Sequence, residues 1–187
     1  MANGVTTRDL KIRRGPLTAL RVYLLRHLQV FFYSLGVLSR YKPTGITEHK
    51  LPGRLPGRGA MAVRFGAGPE SLVVLIVHLA LSKRARMSQI DYISEIVNEY
   101  RHVVLMGDMN CHSHSHEMDY LIDRTMMREP HHGVDSFPSW RPQRNIDHIL
   151  VTPTVEVGRA EVLNYPLSDH LPISMEVVLP ESVDLHI

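Results

Sequence analysis

Five short stretches bring acids, amides and imidazoles to positions where they could do chemistry. Asp108 and Asn110 stand two apart, directly after the apolar run Val103-Val104-Leu105-Met106 and Gly107. Side chains two apart on an extended segment project to the same side. A carboxylate and a carboxamide so placed can orient a water molecule, or hold a phosphate oxygen beside a hard cation. The plainer alternative is a Gly-Asp turn closed by an Asx hydrogen bond. His78 ends a second apolar run, residues 72–77, and taken alone it also reads as a histidine satisfied at the edge of a core. Asp147 lies inside Asn145-Ile146-Asp147-His148-Ile149-Leu150. An acid buried there is costly unless paired. A histidine is its natural partner, because an aspartate fixes the ring's tautomer and orientation; the alternative is an edge strand with Asp147 in water. Asp169-His170 precedes the last apolar run. On an extended chain the two point to opposite sides, one toward a metal and one toward the reacting group, unless they are only a polar strand entry before Pro172. His112, His114 and His116 alternate, so an extended backbone would align three imidazoles for Zn²⁺ or Ni²⁺. Between a site loop and a helix they read instead as exposed loop histidines.

Each of these tips needs a strand beneath it. Residues 72–77 form a continuous β-branched run, as expected of a strand covered on both faces, and residues 59–65 pair with it as a hairpin. Residues 103–106 and 145–151 are further strands, and residues 160–165 and 171–179 are the last two. Met87, Ile90, Ile93, Ile96 and Val97 make the apolar stripe of a helix over residues 82–100, and residues 117–127 form a second helix. Leu17, Leu20, Leu24, Leu28, Phe31 and Leu35 fall at helical spacing, so the spacing predicts an amphipathic helix in the first part of the chain. It is not a bilayer span, since Arg21 and Arg26 would each cost about 2.5–3.5 kcal/mol in hydrocarbon. Strands alternating with helices predict a layered α/β sandwich with sites at the C-terminal strand edges.

The bulk properties set wide bounds. The 187 residues suffice for one domain with a real core. A net charge of +2, with 44% hydrophobic and 21% charged residues, is that of an ordinary soluble protein and does not demand a nucleic-acid partner. The single cysteine, Cys111, excludes an intramolecular disulfide and fits a reducing compartment. With no signal or span in the sequence, cytoplasm is the expected location.

In this order the stretches resemble the endonuclease/exonuclease/phosphatase superfamily, the fold of pancreatic deoxyribonuclease, the abasic-site endonucleases and the inositol-phosphate and sphingomyelin phosphodiesterases. The resemblance rests on Leu38-Ser39-Arg40-Tyr41, Val77-His78-Leu79 with Gln89, Gly107-Asp108-Met109-Asn110, Phe137-Pro138-Ser139-Trp140, Ile146-Asp147-His148-Ile149-Leu150 and Ser168-Asp169-His170-Leu171-Pro172, roughly residues 33–180. It implies an α/β (α+β) four-layer sandwich, two packed mixed sheets flanked by helices. It also implies a monomeric hydrolase of phosphoesters, nucleic acid among the candidate substrates, dependent on Mg²⁺ or Mn²⁺. By resemblance Asp108 orients or deprotonates the attacking water, and Asn110 binds the phosphate and positions Asp108. His170 contacts the scissile phosphate, Asp147 orients His170, Asp169 joins Asp108 and Asn110 at the metal, and His78 stabilises the phosphate or assists the leaving group. The family's opening strand asparagine and its Gln-Glu pair have no counterpart here. Asn3-Gly4 lacks an apolar strand, Glu48 is out of order, and residues 1–32 match no family motif. Two expectations follow: a metal-dependent phosphoesterase, or a truncated, catalytically impaired member serving as a non-enzymatic fragment or interaction domain.

Overall fold

The computed structural model describes residues 9–14, 18–24, 27–29, 32–53, 58–130, 133–183 and 185. Along these run β1 (Asp9–Arg14), β2 (Thr18–Leu24), β3 (His27–Gln29), β4 (Phe32–Ser34), β5 (Val37–Ser39), β6 (Gly45–Lys50), β7 (Gly59–Phe65), β8 (Leu72–His78), α1 (Lys83–Asn98), β9 (His102–Asp108), α2 (His116–Thr125), β10 (Asp147–Val151), β11 (Glu156–Val162) and β12 (Ile173–Val178). Two five-stranded sheets form, in the orders β10-β9-β8-β7-β6 and β11-β12-β1-β2-β5; β3 and β4 make a separate hairpin. Both large sheets are mixed. β8 pairs parallel with β9, and β1 parallel with β12, while the other pairings are antiparallel.

The continuous apolar run of β8 has a direct explanation. Leu72, Val74 and Ile76 join a core with Val104, Met106, Ile149, Ile173, Met175 and Val177, between the two sheets. Val73, Leu75 and Val77 join a second core with Ile90, Ile93, Val97, Met118 and Leu121, beneath both helices. With apolar cover on both faces, every position of β8 is buried. By the two-residue period, His78, Asp108 and Asp147 continue the series of Ile76, Met106 and Ile149. They therefore emerge at the rim of the face that looks toward the second sheet.

The helices start where the sequence caps them. Ser82 accepts from the Ala85 amide and Ser115 from the Met118 amide, each satisfying a donor that the first turn leaves unpaired. A buried ion pair joins them: Arg86 Nη2 donates to Glu117 Oε1 at 2.6 Å, and Arg86 also donates to the carbonyls of Ala80 and Leu81. Burial pushes the Glu117 carboxyl up, but the Arg86 hydrogen bond and charge outweigh it, and the group ends below the usual carboxylate range.

The helix expected from the spacing of Leu17 to Leu35 is not formed among the described residues, which leave out Leu17 and Phe31. Its described residues are strands β2 to β5, with β2 paired to β1 and β5. Leu20 pairs with Ile12, Leu24 with Val37 and Leu28 with Tyr33, and the sheet that β2 joins is completed by β12 far along the chain, about which local periodicity carries no information. Asn3 and Gly4 lie outside the described residues. β6 had no sequence signal either. As the edge strand its positions are largely exposed, and Ile46 is its one large apolar side chain.

Candidate active site

The ladder of the first sheet sets the site's geometry. Asp147 pairs with Asp108 across β10 and β9, Asp108 with His78 across β9 and β8, His78 with Gly59, and Gly59 with Lys50. Three of the expected residues thus share one level of one sheet. His78 Nε2 lies 3.5 Å from Asp108 Oδ2. His170 arrives from the loop before β12, and its Nδ1 lies 2.6 Å from Asp147 Oδ2. All four are nearly enclosed, with exposures of 5–7%. One ligand atom each from Asp108, Asp147 and His170 lie within 4.8 Å of one another.

Backbone chemistry holds the Asp108 tip in place. Asp108 Oδ1 accepts from the Asn110 amide at 3.0 Å, the Asx bond that the sequence offered as the plain alternative. Turn and site therefore coexist. Asn110 takes a left-handed conformation at φ 52°, one that asparagine tolerates better than most side chains. Its Nδ2 donates to the Leu79 carbonyl at 2.9 Å, so the carboxamide oxygen is the atom it offers elsewhere. The ladder continues past β9, with the Leu79 amide bonded to the Asp108 carbonyl and the Met109 amide to that of Ile146. Gly107 is required by contact: a Cβ there would sit 1.9 Å from the Val77 carbonyl oxygen.

Several contributors carried no usable sequence signal. Ser136 Oγ donates to Asp147 Oδ2 at 2.6 Å, alongside His170. The Phe137 ring lies against His170 at 4.7 Å between centroids. Arg58 Nη1 contacts His78 Nε2. Of these, Phe137 opens the Phe137-Pro138-Ser139-Trp140 stretch given above and Ser136 precedes it, but neither carried a site role there. Gln89 is no site residue in this structure; its amide bonds the Ala80 amide and the Pro52 carbonyl and fastens the loops beside β8.

Asp169 lies outside the Asp108-Asp147-His170 group. It is exposed, and its carbonyl accepts from the Ser139 amide at 2.8 Å. Glu48 sits exposed on β6, opposite Met61 and two residues along the strand from Lys50. His112, His114 and His116 do not converge: all three are exposed, His112 bonds Asn145 Oδ1 at 2.7 Å, and His116 stacks on Tyr120 at the start of α2. Burial raises the Cys111 thiol to about 11, which keeps it protonated and no nucleophile.

A second carboxylate–imidazole pair lies on the opposite face of β10. His148 Nδ1 is 2.5 Å from Glu129 Oε1, and its Nε2 is 2.7 Å from the Cys111 carbonyl. Ser113 donates to Glu129 and receives from Asn145 Nδ2, which completes a buried polar network.

The family model described as "Endonuclease/Exonuclease/phosphatase family" matches residues 11–170. The match begins well before residue 33, so part of the first 32 residues, read above as unmatched, lies within it. A mannosyl-6-phosphatase of Bacteroides thetaiotaomicron superposes with a TM-score of 0.66 at 17% identity, over 79% of this chain and 71% of that one. The catalytic domain of human Nocturnin, solved with a bound sulfate anion, gives 0.55 at 18% identity, over 71% and 57%. An endonuclease/exonuclease/phosphatase of Beutenbergia cavernae gives 0.67 at 19% identity and covers 95% of this chain, which spans about half (53%) of that protein. No curated protein sequence matches the chain.

Proposed function

We propose, since this chain belongs to the endonuclease/exonuclease/phosphatase family, that it is a divalent-metal-dependent phosphoester hydrolase in which water attacks phosphorus in line. The observation that carries the reading is the Asp147–His170 bond beside Asp108 and His78 at one rim of the sheet sandwich. Phosphoryl transfer asks of a protein mainly positioning and charge stabilisation, and each side chain here suits one such task. Asp147 accepts a hydrogen bond from Nδ1–H of His170, which orients the ring so that it meets the phosphate through Nε2. Asp108, oriented by the Asn110 amide, accepts the proton of the attacking water through Oδ2. His78, with Arg58 against it, stabilises phosphate charge or assists the leaving group.

The donor set fits a hard cation. Carboxylate and carboxamide oxygens suit Mg²⁺ or Mn²⁺ better than imidazoles do. Asp108 and Asn110 would hold it, whereas Asp169, the third expected ligand, lies exposed outside the Asp108-Asp147-His170 group; when bound, the cation would polarise phosphoryl oxygens and neutralise developing charge. Asp147 is close enough to serve. However, its Oδ2 already receives hydrogen bonds from Ser136 and His170, which makes it a positioning carboxylate. No helix among the described residues is long and apolar enough to cross a membrane. A buried, reduced Cys111 fits a cytoplasmic location.

One observation favours the second reading, a catalytically impaired member. Among the described residues no further acid joins Asp108, Asp147 and His170. The two readings separate in one pair of measurements. Hydrolysis of bis(p-nitrophenyl) phosphate with Mg²⁺ or Mn²⁺, abolished in Asp108→Ala and His170→Ala, is the expected result. A folded protein that hydrolyses no phosphoester in any metal, and shows no Mg²⁺ or Mn²⁺ binding by titration calorimetry, would establish the impaired reading instead.

A further inference from the structure

Three large apolar side chains stand in solvent beside His170 although the backbone around them is firmly built. Trp140 is 74% exposed, Tyr165 63% and Leu167 67%. Trp140 rides on a tight hairpin. Phe137 and Arg144 form its base as an antiparallel bridge, and the Arg141 amide bonds the Pro138 carbonyl at 3.0 Å to close the turn that carries the indole. Tyr165 and Leu167 ride on two successive tight turns, in which the Tyr165 amide bonds the Leu163 carbonyl and the Leu167 amide the Tyr165 carbonyl, each at 2.8 Å. Ser139 staples the two arms together. Its hydroxyl donates to the Ser168 carbonyl and its amide to that of Asp169. Trp140 and Leu167 therefore leave this staple from adjacent positions. The staple is itself part of the site wall, since the Leu171 amide bonds the Ser136 carbonyl and the Phe137 ring lies on His170.

Exposed apolar surface on fixed backbone, next to a reaction centre, marks a binding surface. The neighbouring charges are cationic: Arg141 and Arg144 are exposed on the same hairpin, and Arg144 lies over the Phe137 ring at 5.8 Å. An exposed indole on a hairpin that also carries two exposed arginines suits a planar aromatic group attached to an anion, the stacking arrangement used for bases. We infer that Trp140, with Tyr165 and Leu167, is a specificity platform on which the aromatic group of a nucleoside phosphoester stacks while its phosphate reaches His170 and Asp108. This names the substrate class of the site proposed above and rests on that reading.

Trp140 is the single tryptophan of the chain, so its emission reports the platform without any need for turnover. The full chain is titrated with adenosine 5′-monophosphate and, separately, with ribose 5-phosphate. Saturable quenching by the nucleotide, with none by the sugar phosphate over the same range, is expected; equal responses, or none from the nucleotide, would overturn the platform. In turnover, kcat/KM is compared for thymidine 5′-(p-nitrophenyl phosphate) and methyl p-nitrophenyl phosphate. Their ratio should fall about 10-fold in Trp140→Ala, through KM, and return in Trp140→Phe, in keeping with the usual worth of one stacked base. An unchanged ratio in Trp140→Ala would also overturn it. If no ester is hydrolysed, the hydrolase reading fails while the titration still decides the platform.

Discussion

Two carboxylate–imidazole pairs meet at consecutive residues of one strand and face opposite sides of it. On the inter-sheet face of β10, Asp147 accepts from Nδ1 of His170 at 2.6 Å. On the helix-facing side, His148 has Glu129 at one ring nitrogen and the Cys111 carbonyl at the other. The carbonyl can only accept, so Nε2 of His148 must carry a proton and is committed to the fold. In the first pair the histidine comes from a loop and is held by a strand acid. In the second the histidine belongs to the strand, and the acid comes from the segment after α2. A ring with both nitrogens tied to the interior fastens two loops to the sheet. The His170 ring, arriving from a loop, is oriented at Nδ1 by the Asp147 carboxylate. Burial does not separate them, since both histidines are nearly enclosed.

The largest effect should come from a position that disturbs both pairs. Gly107 lies between Val77 and His148 in the ladder, and a methyl group there meets a backbone oxygen that cannot move alone. Gly107→Ala should leave no cooperative thermal transition by circular dichroism. A native-like melting curve would show that the strand can part without loss, and would undo the account of the tip. The two pairs themselves come next. His170→Ala should lower kcat/KM by about 10²–10⁴-fold, the usual worth of a positioned acid or base, with a smaller loss of urea stability than at His148, because Ser136 still donates to Asp147. His148→Ala or Glu129→Ala should cost about 3–5 kcal/mol in urea unfolding, as does removal of one partner of a buried pair. A crossed result, with rate lost at His148 and stability lost at His170, would break the comparison.

The smallest effect concerns Glu70, well away from either pair. Hydrogen bonds from His102 foremost, then from Ser182 and Arg101, lower its carboxyl from 4.5 to about 2. A folded-state value below the unfolded one stabilises the protein fully above about 4.5 and not at all below about 2. The melting-temperature gap between the parent chain and Glu70→Gln should therefore close as pH falls through that window. A gap that stays constant would show that these hydrogen bonds do not favour the ionised form.

How much of this was legible in the sequence follows from the range of the interactions involved. β8, β9 and α1 announce themselves because each buries its own faces in a local period: continuous for β8, helical for Ile90, Ile93 and Val97. The acid at Asp147 could be expected to seek a histidine, because an unpaired carboxylate inside an apolar strand is costly; His170 now stands in that place. Glu129 gave no such sign. It lies next to Pro130 in a segment without periodicity, and only the folded chain brings it to His148. β2 misled for the opposite reason: Leu20 and Leu24 sit at helical spacing, but the strand is decided by β1 and β5, and β1 in turn pairs with a strand more than 150 residues further along. Trp140 was legible as part of a motif, whereas its exposure was not, because exposure depends on the staple at Ser139.

The level that Asp147, Asp108, His78, Gly59 and Lys50 share across five strands would make the proposed hydrolysis a proofreader of assembly. A slip of one residue in any of these pairings turns a tip to the other face of the sheet, where His148, Val77 and the helices lie. A partly correct sheet would therefore keep its spectroscopic strand content and lose its reactive cluster altogether. In refolding experiments, recovered turnover would count only those molecules whose ladders closed in native register, and it would lag behind recovered secondary structure by the misaligned fraction.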